Sequence, residues 1–428
     1  MTTLRIAGGQ VLRPDGTVER ADVLVDQGAG TIRAVGDVPE GDEVLDASDS
    51  LVMPGLVNAH THVAMTLLRG YADDKPLDAW LQEDIWPAEG ELAPADVRAG
   101  ARLGILEMIR AGTTAFADMY FHVPEVVAAV EESGVRARVG HGIVTVGKDE
   151  EAATADVEAS VDVAREYDGA ADGRVSTAVM PHSLTTVGDA HLARAVEGAR
   201  DAGVPVHLHA NETRDEVAPF HEDDRLPLDY ADAQGLLTDA DFLAHGVHTD
   251  PAEIDLLADR GTAVVHCPAS NMKLASGMAP VQALLDAGVP VALGTDGAAS
   301  NNDLSLFDEL RDAALLGKLA ADDAAAVAAP DAVRMATEGG ARALGIDAGR
   351  IEAGALADLA VVDLDAPHLT PRHDLVSHLA YAATAADVRH TVCGGTILMR
   401  DREVLTLDAD AVVAEAERRA ADLAARAD

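Results

Sequence analysis

Basic residues are scarce in this chain of 428 residues. Lysine and arginine together number 32 against 74 aspartates and glutamates, which gives a formal net charge of −42 at pH 7. Lysine occurs at only four positions, 75, 148, 273 and 318. Binding to nucleic acids or to anionic membranes needs a basic face, so neither partner is expected. Because the acidic residues are spread over the whole length, the composition indicates a salt-rich cytoplasm, where counterions screen the self-repulsion.

Cysteines and long apolar runs are also lacking. Cys267 and Cys393 form no CxxC pair, so a disulfide framework is not expected. The first residues lack the basic start and apolar stretch of a signal peptide. No apolar run approaches the roughly 18 residues of a membrane span. Hydrophobic residues nevertheless make up 48% of the chain, which excludes a disordered protein. We therefore expect a soluble, cytoplasmic, globular protein.

The two ends of the chain differ from its middle. Residues 4–50 and 355–404 contain short stretches of alternating apolar and polar residues with turn signals between them, a pattern that predicts β-strands. A last Ala-rich helix is predicted at about Asp408–Arg426. Between them, Ala-rich amphipathic helices alternate with eight apolar stretches: GLVNAH, TTAFADMY, VRARVGHGIV, RVSTAVMPH, VPVHLHA, DFLAHGV, TAVVHCPA and VPVALGTD.

Eight strands that alternate with helices over roughly 300 residues predict an α/β fold of the (β/α)₈ TIM-barrel type. A doubly wound parallel sheet is the alternative. We favour the barrel because the count is eight and because polar residues gather at the strand ends. The pattern divides the chain into three segments, 1–52, 53–355 and 356–428.

Histidines and an aspartate stand at the predicted strand ends, where barrel enzymes have their active sites. His60 and His62 are two residues apart on the first strand, so their side chains share a face and both can bind one metal ion. A lone HxH pair is common on surfaces and in cores, but here it coincides with His209, His245 and Asp296 at three other strand ends. Imidazoles with a carboxylate suit zinc or ferrous iron.

Several roles stay open from spacing alone. His207 and His209 share a face, and either could be the ligand. Asp296 fits a metal ligand, a base or a turn former, and His245 fits a ligand or a hydrogen-bonding partner of the attacking water. Glu212 follows His209 by three residues and is placed to move a proton between water and substrate, although a glutamate at a helix N-terminus is also stabilised by the helix dipole.

Two sequence features of other metal enzymes are missing, and their absence limits the kind of metal site that is expected. The fourth strand, RVSTAVMPH, has no lysine that could be carbamylated to bridge two metals, so a single metal ion is expected. The stretch HCPAS holds one cysteine where the zinc deaminases that act on flipped bases have PCxxC, so the chain is not of that kind.

These residues lie in motifs that resemble the amidohydrolase superfamily, and within it the branch of 5-methylthioadenosine/S-adenosylhomocysteine deaminases and related chlorohydrolases. The motifs are PGLVNAHTHVAMTLLRGYADD, WLQEDIWPAE, FADMYF, MPHSLTT, CPASNMKL and LGTDGAASNN, and the resemblance covers nearly the full length. It implies a barrel inserted in a small β-sandwich built from both chain ends. It also implies one divalent metal per subunit, zinc or iron.

The resemblance further implies residue roles. The metal ligands would be His60, His62, His209 and Asp296, and His245 would contact the attacking water. Asp296 would also accept the proton of that water.

The remaining implied roles concern the substrate. Glu212 would pass a proton to N1 of an adenine ring, Glu89 in WPAE would bind the ribose hydroxyls, and His182 in MPHS would contact the purine. The sequence departs from members that act on S-adenosylhomocysteine, which have arginines at the end of strand three and in the loop beyond it. His141 and Lys148 stand there instead, and His141 is the weaker partner for a carboxylate.

The predicted function is hydrolytic deamination of a nucleoside with an adenine base, which yields ammonia and hypoxanthine. The candidate substrates are 5′-methylthioadenosine, S-adenosylhomocysteine, 5′-deoxyadenosine and adenosine. The alternatives are a sister hydrolase of a free base or a chlorinated triazine, and a non-catalytic acidic metal-holding protein. Glu89 argues against a free base, and the complete ligand set argues against the non-catalytic protein. The barrel flanks allow a homo-oligomer.

Overall fold

The structure is a computed structural model that describes residues 2–222 and 225–427. Its described strands are β1 (Thr3–Ala7), β2 (Gln10–Leu12), β3 (Val18–Arg20), β4 (Asp22–Asp26), β5 (Thr31–Gly36), β6 (Glu43–Asp46), β7 (Ser50–Pro54), β8 (Leu56–Thr61), β9 (Thr113–Tyr120), β10 (Arg136–Ile143), β11 (Val175–Thr177), β12 (Met180–Pro181), β13 (His207–Ala210), β14 (Phe242–His245), β15 (Ala263–His266), β16 (Val291–Leu293), β17 (Leu359–Asp363), β18 (Val388–Cys393), β19 (Thr396–Arg400) and β20 (Glu403–Val404).

The described α-helices are α1 (Leu77–Trp80), α2 (Trp86–Glu89), α3 (Pro94–Arg110), α4 (Val123–Ser133), α5 (Glu150–Tyr167), α6 (Ala170–Gly173), α7 (Asp189–Ala202), α8 (Arg214–Glu222), α9 (Pro227–Ala233), α10 (Pro251–Arg260), α11 (Pro268–Lys273), α12 (Val281–Asp286), α13 (Ala298–Asn301), α14 (Leu306–Ala321), α15 (Ala329–Arg334), α16 (Gly340–Ala343), α17 (Leu375–Tyr381) and α18 (Ala409–Ala427). Short 3₁₀ segments lie at Val63–Leu68, Pro367–Leu369 and Ala385–Asp387, and π-helical turns lie at Leu81–Ile85 and Met335–Gly339.

The strands in the middle of the chain form two parallel sheets. One has the order β8-β9-β10-β11, with β12 also paired to β10, and the other has the order β13-β14-β15-β16. Parallel bridges Val179↔Val206 and Ser183↔His209 join the two sheets. At the other edge, the backbone N–H of Asp296 donates to the His60 carbonyl at 3.1 Å. The carboxyl ends of these strands therefore meet on one side of the molecule.

All eight strand stretches predicted from the middle of the sequence are confirmed. The fourth is divided into β11 and β12. Residues of β9 and of β13–β16 are buried on both faces, which explains why their sequences are apolar runs rather than alternating patterns.

The helices of this region cover the strands with one apolar face. In α7 the buried residues recur at helical spacing: Leu192, Ala195, Val196 and Ala199. The helix ends at Gly203, whose φ of 72° lies in the left-handed region that glycine adopts without strain. The chain can therefore turn sharply into β13.

The chain ends form two further sheets. Their orders are β5-β4-β1-β6 and β20-β19-β18-β17-β7-β2-β3, so the larger sheet joins both ends through the antiparallel pair β17–β7. The two sheets share one apolar cluster, which includes Leu4 and Val23 from the smaller and Val52, Leu359 and Val392 from the larger.

The predicted C-terminal helix is confirmed as α18. Its Arg419 and Arg426 bind the fully buried carboxylate of Asp96 in α3, at 3.4 and 2.5 Å. Among the helices in the described part of the chain, none combines the length and apolar character needed to cross a membrane.

Candidate metal centre and substrate cavity

Five side chains from the strand ends converge on one point. His60 lies in β8 and His62 follows it, His209 lies in β13, His245 ends β14, and Asp296 follows β16. The Nε2 atoms of His60 and His62 lie 3.4 and 3.2 Å from Asp296 Oδ1, and the Nε2 atoms of His62 and His209 lie 3.3 Å apart. The ligand atoms of His60, His209, His245 and Asp296 all lie within 4.8 Å of one another.

Backbone carbonyls set the orientation of two of these rings. His62 Nδ1 donates to the carbonyl of Met119 at 2.6 Å, and His209 Nδ1 donates to the carbonyl of His182 at 2.7 Å. A carbonyl can only accept, so the proton must sit on Nδ1 when the ring is neutral. Each Nε2 is thereby left as a lone pair directed at the common point.

Side chains orient the other two rings. His207 Nδ1 donates to the carbonyl of Phe242 at 2.9 Å, so its Nε2 accepts from His60 Nδ1 at 2.8 Å. His245 Nδ1 donates to Asn271 Oδ1 at 2.9 Å. His60 and His245 therefore also present Nε2, as a metal-binding imidazole requires.

The charges at this point favour a cation. Burial lowers the pKa of His60 to about 4 and lowers that of His209 as well, so both rings are neutral ligands. Burial would likewise lower the pKa of His62, but the Asp296 carboxylate raises it to about 9. Burial opposes ionisation of Asp296, but the neighbouring rings of His60 and His62 hold its pKa well below the usual range.

The backbone is strained at two of the converging residues. His245 has φ of 75° and Asp296 has φ of 60°, a region that costs a residue with a β-carbon free energy. The Thr61 hydroxyl donates to the Asp296 carbonyl at 2.8 Å and supports that conformation. Such strain is typical of functional sites, where the surrounding structure holds a side chain in a required direction.

Hydroxyl groups bind the second oxygen of the aspartate. Ser270 and Ser300 donate to Asp296 Oδ2 at 2.6 and 2.8 Å. Because this oxygen is occupied by two donors, Oδ1 is the oxygen that faces the imidazoles. His60 Nε2 is buried and has no hydrogen-bond partner among the described residues. Buried imidazole nitrogens with free lone pairs beside a carboxylate are the donor set of a divalent metal such as zinc.

Glu212 stands beside this centre. Its Oε2 lies 3.7 Å from His245 Nε2, and its Oε1 accepts from the Ser276 hydroxyl at 3.4 Å. Burial raises the pKa of Glu212, in the direction opposite to that of Asp296. Two carboxyl groups whose pKa values are shifted in opposite directions form an acid and a base within one site. Glu216, whose Oε2 accepts from the Glu212 backbone N–H at 2.7 Å, has its pKa raised by burial to about 7.

A cavity of about 310 Å³ opens onto the centre. This volume lies at the small-ligand end of the usual range of binding pockets. The predicted site residues that line it are His62, Glu89, His182, His209, Glu212, His245 and Asp296. Trp86 also lines it, together with apolar side chains such as Leu77, Trp80, Met119 and Phe121.

Two of the three predicted substrate contacts, Glu89 and His182, face this cavity, and burial shifts their pKa values in opposite directions. Glu89 Oε1 is buried without a hydrogen-bond partner, and burial raises the pKa of Glu89 to about 7. His182 Nδ1 lies 3.0 Å from the Thr186 hydroxyl, and burial lowers the pKa of His182 to about 4. His182 is therefore a neutral ring.

His141 and Lys148 are not among the residues that line the cavity. His141 Nε2 and Lys148 Nζ each lie 2.9 Å from an oxygen of Asp156 in α5. Side chains alternate in direction along a strand, so Gly142 and Val144 line the cavity, whereas His141, one residue before Gly142, points to α5. The sequence-predicted role of His141 stays a prediction.

Sequence reasoning missed the groups that orient the centre. His207 was recognised only as an alternative ligand, and Ser270, Asn271 and Ser300 were not singled out. The last three lie in the motifs CPASNMKL and LGTDGAASNN, which were recognised as whole stretches. Polar residues inside otherwise small and apolar stretches after two strands were the signal that could have identified them.

Comparison with known proteins gives a consistent family. Residues 51–398 match the sequence model of the amidohydrolase family. The chain is 70% identical, over 99% of both chains, to a 5-methylthioadenosine/S-adenosylhomocysteine deaminase of Halobacterium salinarum. It is 44% identical, over 100% of this chain and 99% of the relative, to a 5′-deoxyadenosine deaminase of Methanosarcina mazei. A solved adenosine deaminase of Xanthomonas campestris with bound zinc superimposes with a TM-score of 0.92, at 40% identity over 99% of both chains.

Proposed function

The chain belongs to the amidohydrolase family, and from that premise we propose that it is a metal-dependent hydrolytic deaminase of adenosine-type nucleosides. It is thus a hydrolase of C–N bonds that releases ammonia and leaves a hypoxanthine base. The observation that carries this proposal is the convergence of His60, His62, His209 and Asp296 beside Glu212, at the end of a cavity of ligand size. Three relatives with deaminase names support it.

The proposal includes the predicted architecture. We propose that the two parallel sheets close into a (β/α)₈ barrel and that the sheets of the chain ends form a β-sandwich. Closure is supported on one side by the bridges Val179↔Val206 and Ser183↔His209. On the other side it is supported by the backbone hydrogen bond from Asp296 to His60. The proposed segments are 1–52, 53–355 and 356–428, of which the first boundary falls inside β7.

The residues fit one divalent metal, and we propose zinc. His60, His62, His209 and Asp296 would hold it, which leaves His245 and Glu212 for the reactants. A bound zinc ion supplies a Lewis acid that lowers the pKa of water from ~15.7 to ~7. The described residues support this choice, since His60 and His209 are neutral imidazoles and Asp296 is an ionised carboxylate.

The chain's own residues then move two protons. Asp296 accepts a proton from the attacking water, whose oxygen bonds to C6 of the adenine ring. Glu212, whose raised pKa lets it carry a proton, donates that proton to N1. His245 hydrogen-bonds the new oxygen on C6 through Nε2. The proton held by Asp296 passes to the amino group, the C6–N bond breaks and ammonia leaves. The hydroxyl proton on C6 passes to Glu212, so that the ring becomes hypoxanthine with its proton on N1.

Other cavity residues would bind the rest of the nucleoside. Glu89 is proposed to accept hydrogen bonds from the ribose hydroxyls, which suits its unpartnered oxygen. His182 is proposed to contact the purine. None of the described cavity-lining residues is a lysine or an arginine, whereas Asp78, Asp215 and Glu216 are among them. This wall favours a nucleoside whose 5′ group carries no net negative charge.

The cellular setting follows the sequence prediction. We propose a salt-rich cytoplasm, which the relative from Halobacterium salinarum supports and which suits the net charge of −42. A homo-oligomer stays a prediction.

The proposal is tested with zinc-loaded protein purified in high salt. S-Adenosylhomocysteine, 5′-methylthioadenosine, 5′-deoxyadenosine and adenosine are supplied separately, and ammonia and the ultraviolet change from adenine to hypoxanthine are measured. We expect turnover of at least one nucleoside. If folded and metal-loaded protein turns over none of the four nucleosides, the proposal is contradicted, and free bases or triazines are favoured as substrates.

A further inference from the structure

Glu309 is a buried carboxylate on α14 that has no part in the proposed chemistry. Its side chain is 0% exposed. Oε1 accepts from Asn301 Nδ2 at 2.6 Å, and Oε2 accepts from the backbone N–H of Ala269 at 3.2 Å. One carboxylate therefore binds the last residue of α13 and the second residue of α11.

These two short helices carry the hydroxyls that bind Asp296. Ser270 on α11 and Ser300 on α13 both donate to Asp296 Oδ2, at 2.6 and 2.8 Å. Ser270 directly follows the residue that Glu309 binds on α11, and Ser300 directly precedes Asn301 on α13. A displacement at either bond to Glu309 would therefore move a hydroxyl that orients Asp296.

The same network reaches two other points of the centre. Asn271 on α11 accepts from His245 Nδ1 at 2.9 Å. Asn301 Nδ2 donates not only to Glu309 but also to the carbonyl of Thr295 at 2.7 Å, one residue before Asp296. The groups that orient His245 and Asp296 therefore lie on α11 and α13, the two helices that the Glu309 carboxylate binds.

We propose that Glu309 is a positioning residue for the metal centre. It fixes α11 and α13 relative to each other, and through them it fixes the directions of Asp296 and His245. Removal of groups that hydrogen-bond metal ligands commonly changes metal affinity or activity 10–100-fold, and Glu309 holds the two helices that carry such groups. The role in activity rests on the proposed function, whereas the role in metal binding does not.

A second contact joins α11 to α13 without Glu309. Lys273 Nζ, at the end of α11, donates to the carbonyl of Ala299 in α13 at 3.1 Å. Glu309→Ala removes both acceptors. Glu309→Gln keeps a carbonyl oxygen for Asn301 but can turn an N–H toward the N–H of Ala269, so it restores part of the network.

Asp96→Asn is the matched control. Asp96 is also 0% exposed and also joins two helices, but it joins α3 to α18 and lies outside the metal centre. If burial of a carboxylate were all that mattered, Asp96→Asn and the Glu309 variants would behave alike.

The kinetic test separates kcat from KM on folded, zinc-loaded enzyme. For Glu309→Ala we expect kcat to fall about 10–100-fold with KM changed less than about twofold, and for Glu309→Gln an intermediate kcat. Asp96→Asn should keep both constants even where its Tm falls. A kcat for Glu309→Ala within about twofold of the parent, or equal changes in Asp96→Asn, would overturn the proposal.

A second test does not need a substrate. Each variant is loaded with Co²⁺, and its visible absorption spectrum and the rate of metal loss to a chelator are recorded. We expect a shifted spectrum and roughly 10-fold faster loss in Glu309→Ala, with Asp96→Asn unchanged. An unaltered spectrum and rate in Glu309→Ala would contradict the positioning role. If the parent enzyme deaminates no nucleoside, the proposed function fails, but this comparison still decides the role of Glu309.

Discussion

His207 fixes the proton on His60 Nδ1. The two rings are joined by a hydrogen bond of 2.8 Å between His207 Nε2 and His60 Nδ1, and His207 can only accept because its own Nδ1 donates to the Phe242 carbonyl. Both histidines are fully buried. A histidine that is no proposed ligand thus determines which nitrogen His60 presents.

This relationship predicts weaker metal binding in His207→Ala. With the acceptor removed, His60 is free to rotate and to move its proton to Nε2, where it would block a ligand position. We expect metal affinity to fall about 10–100-fold, measured by zinc loss to a graded series of chelators. His373→Ala is the control, because His373 is exposed. Equal zinc retention in the two variants would refute the role of His207.

The assignment of ligands is tested by His62→Asn and His245→Asn. Since His62 Nε2 lies within 3.3 Å of both Asp296 Oδ1 and His209 Nε2, we expect His62→Asn to lose zinc during dialysis. His245→Asn should retain zinc and lose turnover about 10²-fold or more. Zinc content is measured by elemental analysis of dialysed protein. The opposite result, with zinc lost from His245→Asn alone, would assign the metal to the set His60, His209, His245 and Asp296 instead.

The strands were predictable because a parallel strand that is buried on both faces is a short apolar run in the sequence, between two helices. The division of the fourth strand was not. Between β11 and β12 the backbone changes its partner: Ala178 N–H bonds to the Val139 carbonyl, whereas Val179 bridges to Val206. Such an exchange depends on the neighbouring strands, and the local sequence carries no sign of it.

The site shows the same limit. The spacing of His207 and His209 predicts that both side chains lie on one face of the strand, but they lie at different distances from its end. Two residues along a strand correspond to about 6.6 Å, so His209 reaches the end of β13 while His207 stays below it and contacts His60. The direction of the His141 side chain follows from the alternation of side chains along β10. It becomes predictable only when the register of β10 is known, because the register decides which of its residues face the cavity.

Glu212→Gln tests the proton transfer to the base. The amide keeps the shape of the side chain but cannot donate a carboxyl proton to N1. We expect kcat to fall about 10²–10⁴-fold while zinc content stays equal to that of the parent enzyme, because Glu212 is no proposed ligand. Turnover and zinc are measured on the same preparation. Activity near that of the parent would exclude Glu212 as the acid.

Glu89→Gln tests the ribose contact. A hydrogen bond to a charged group contributes about 1.5–3 kcal/mol, so its loss should raise KM for nucleosides roughly 10–100-fold. Weak inhibition by free adenine should be unchanged, because a free base has no ribose. Steady-state kinetics with 5′-methylthioadenosine and competition with adenine are the measurements. An equal loss for nucleoside and free base would show that Glu89 acts elsewhere.

The charge of the cavity wall predicts selectivity at the 5′ position. Asp78, Asp215 and Glu216 line the cavity without a described lysine or arginine beside them in its wall, and like charges brought together cost several kcal/mol. We therefore expect kcat/KM for adenosine 5′-monophosphate to be at least ~100-fold below that for 5′-deoxyadenosine, with S-adenosylhomocysteine between them. Asp78→Asn and Asp215→Asn should each reduce the ratio of the kcat/KM values for 5′-deoxyadenosine and adenosine 5′-monophosphate several-fold. Asp73→Asn, outside the cavity wall, should leave this ratio unchanged. Asp78 and Asp215 are exposed, so their charges are screened within about 3 Å at 1 M salt. The ratios are therefore to be measured over the range of salt concentrations in which the protein stays folded, and the difference should shrink as the salt concentration rises. Equal kcat/KM values for the neutral and anionic nucleosides would show that the wall carboxylates do not select the 5′ group.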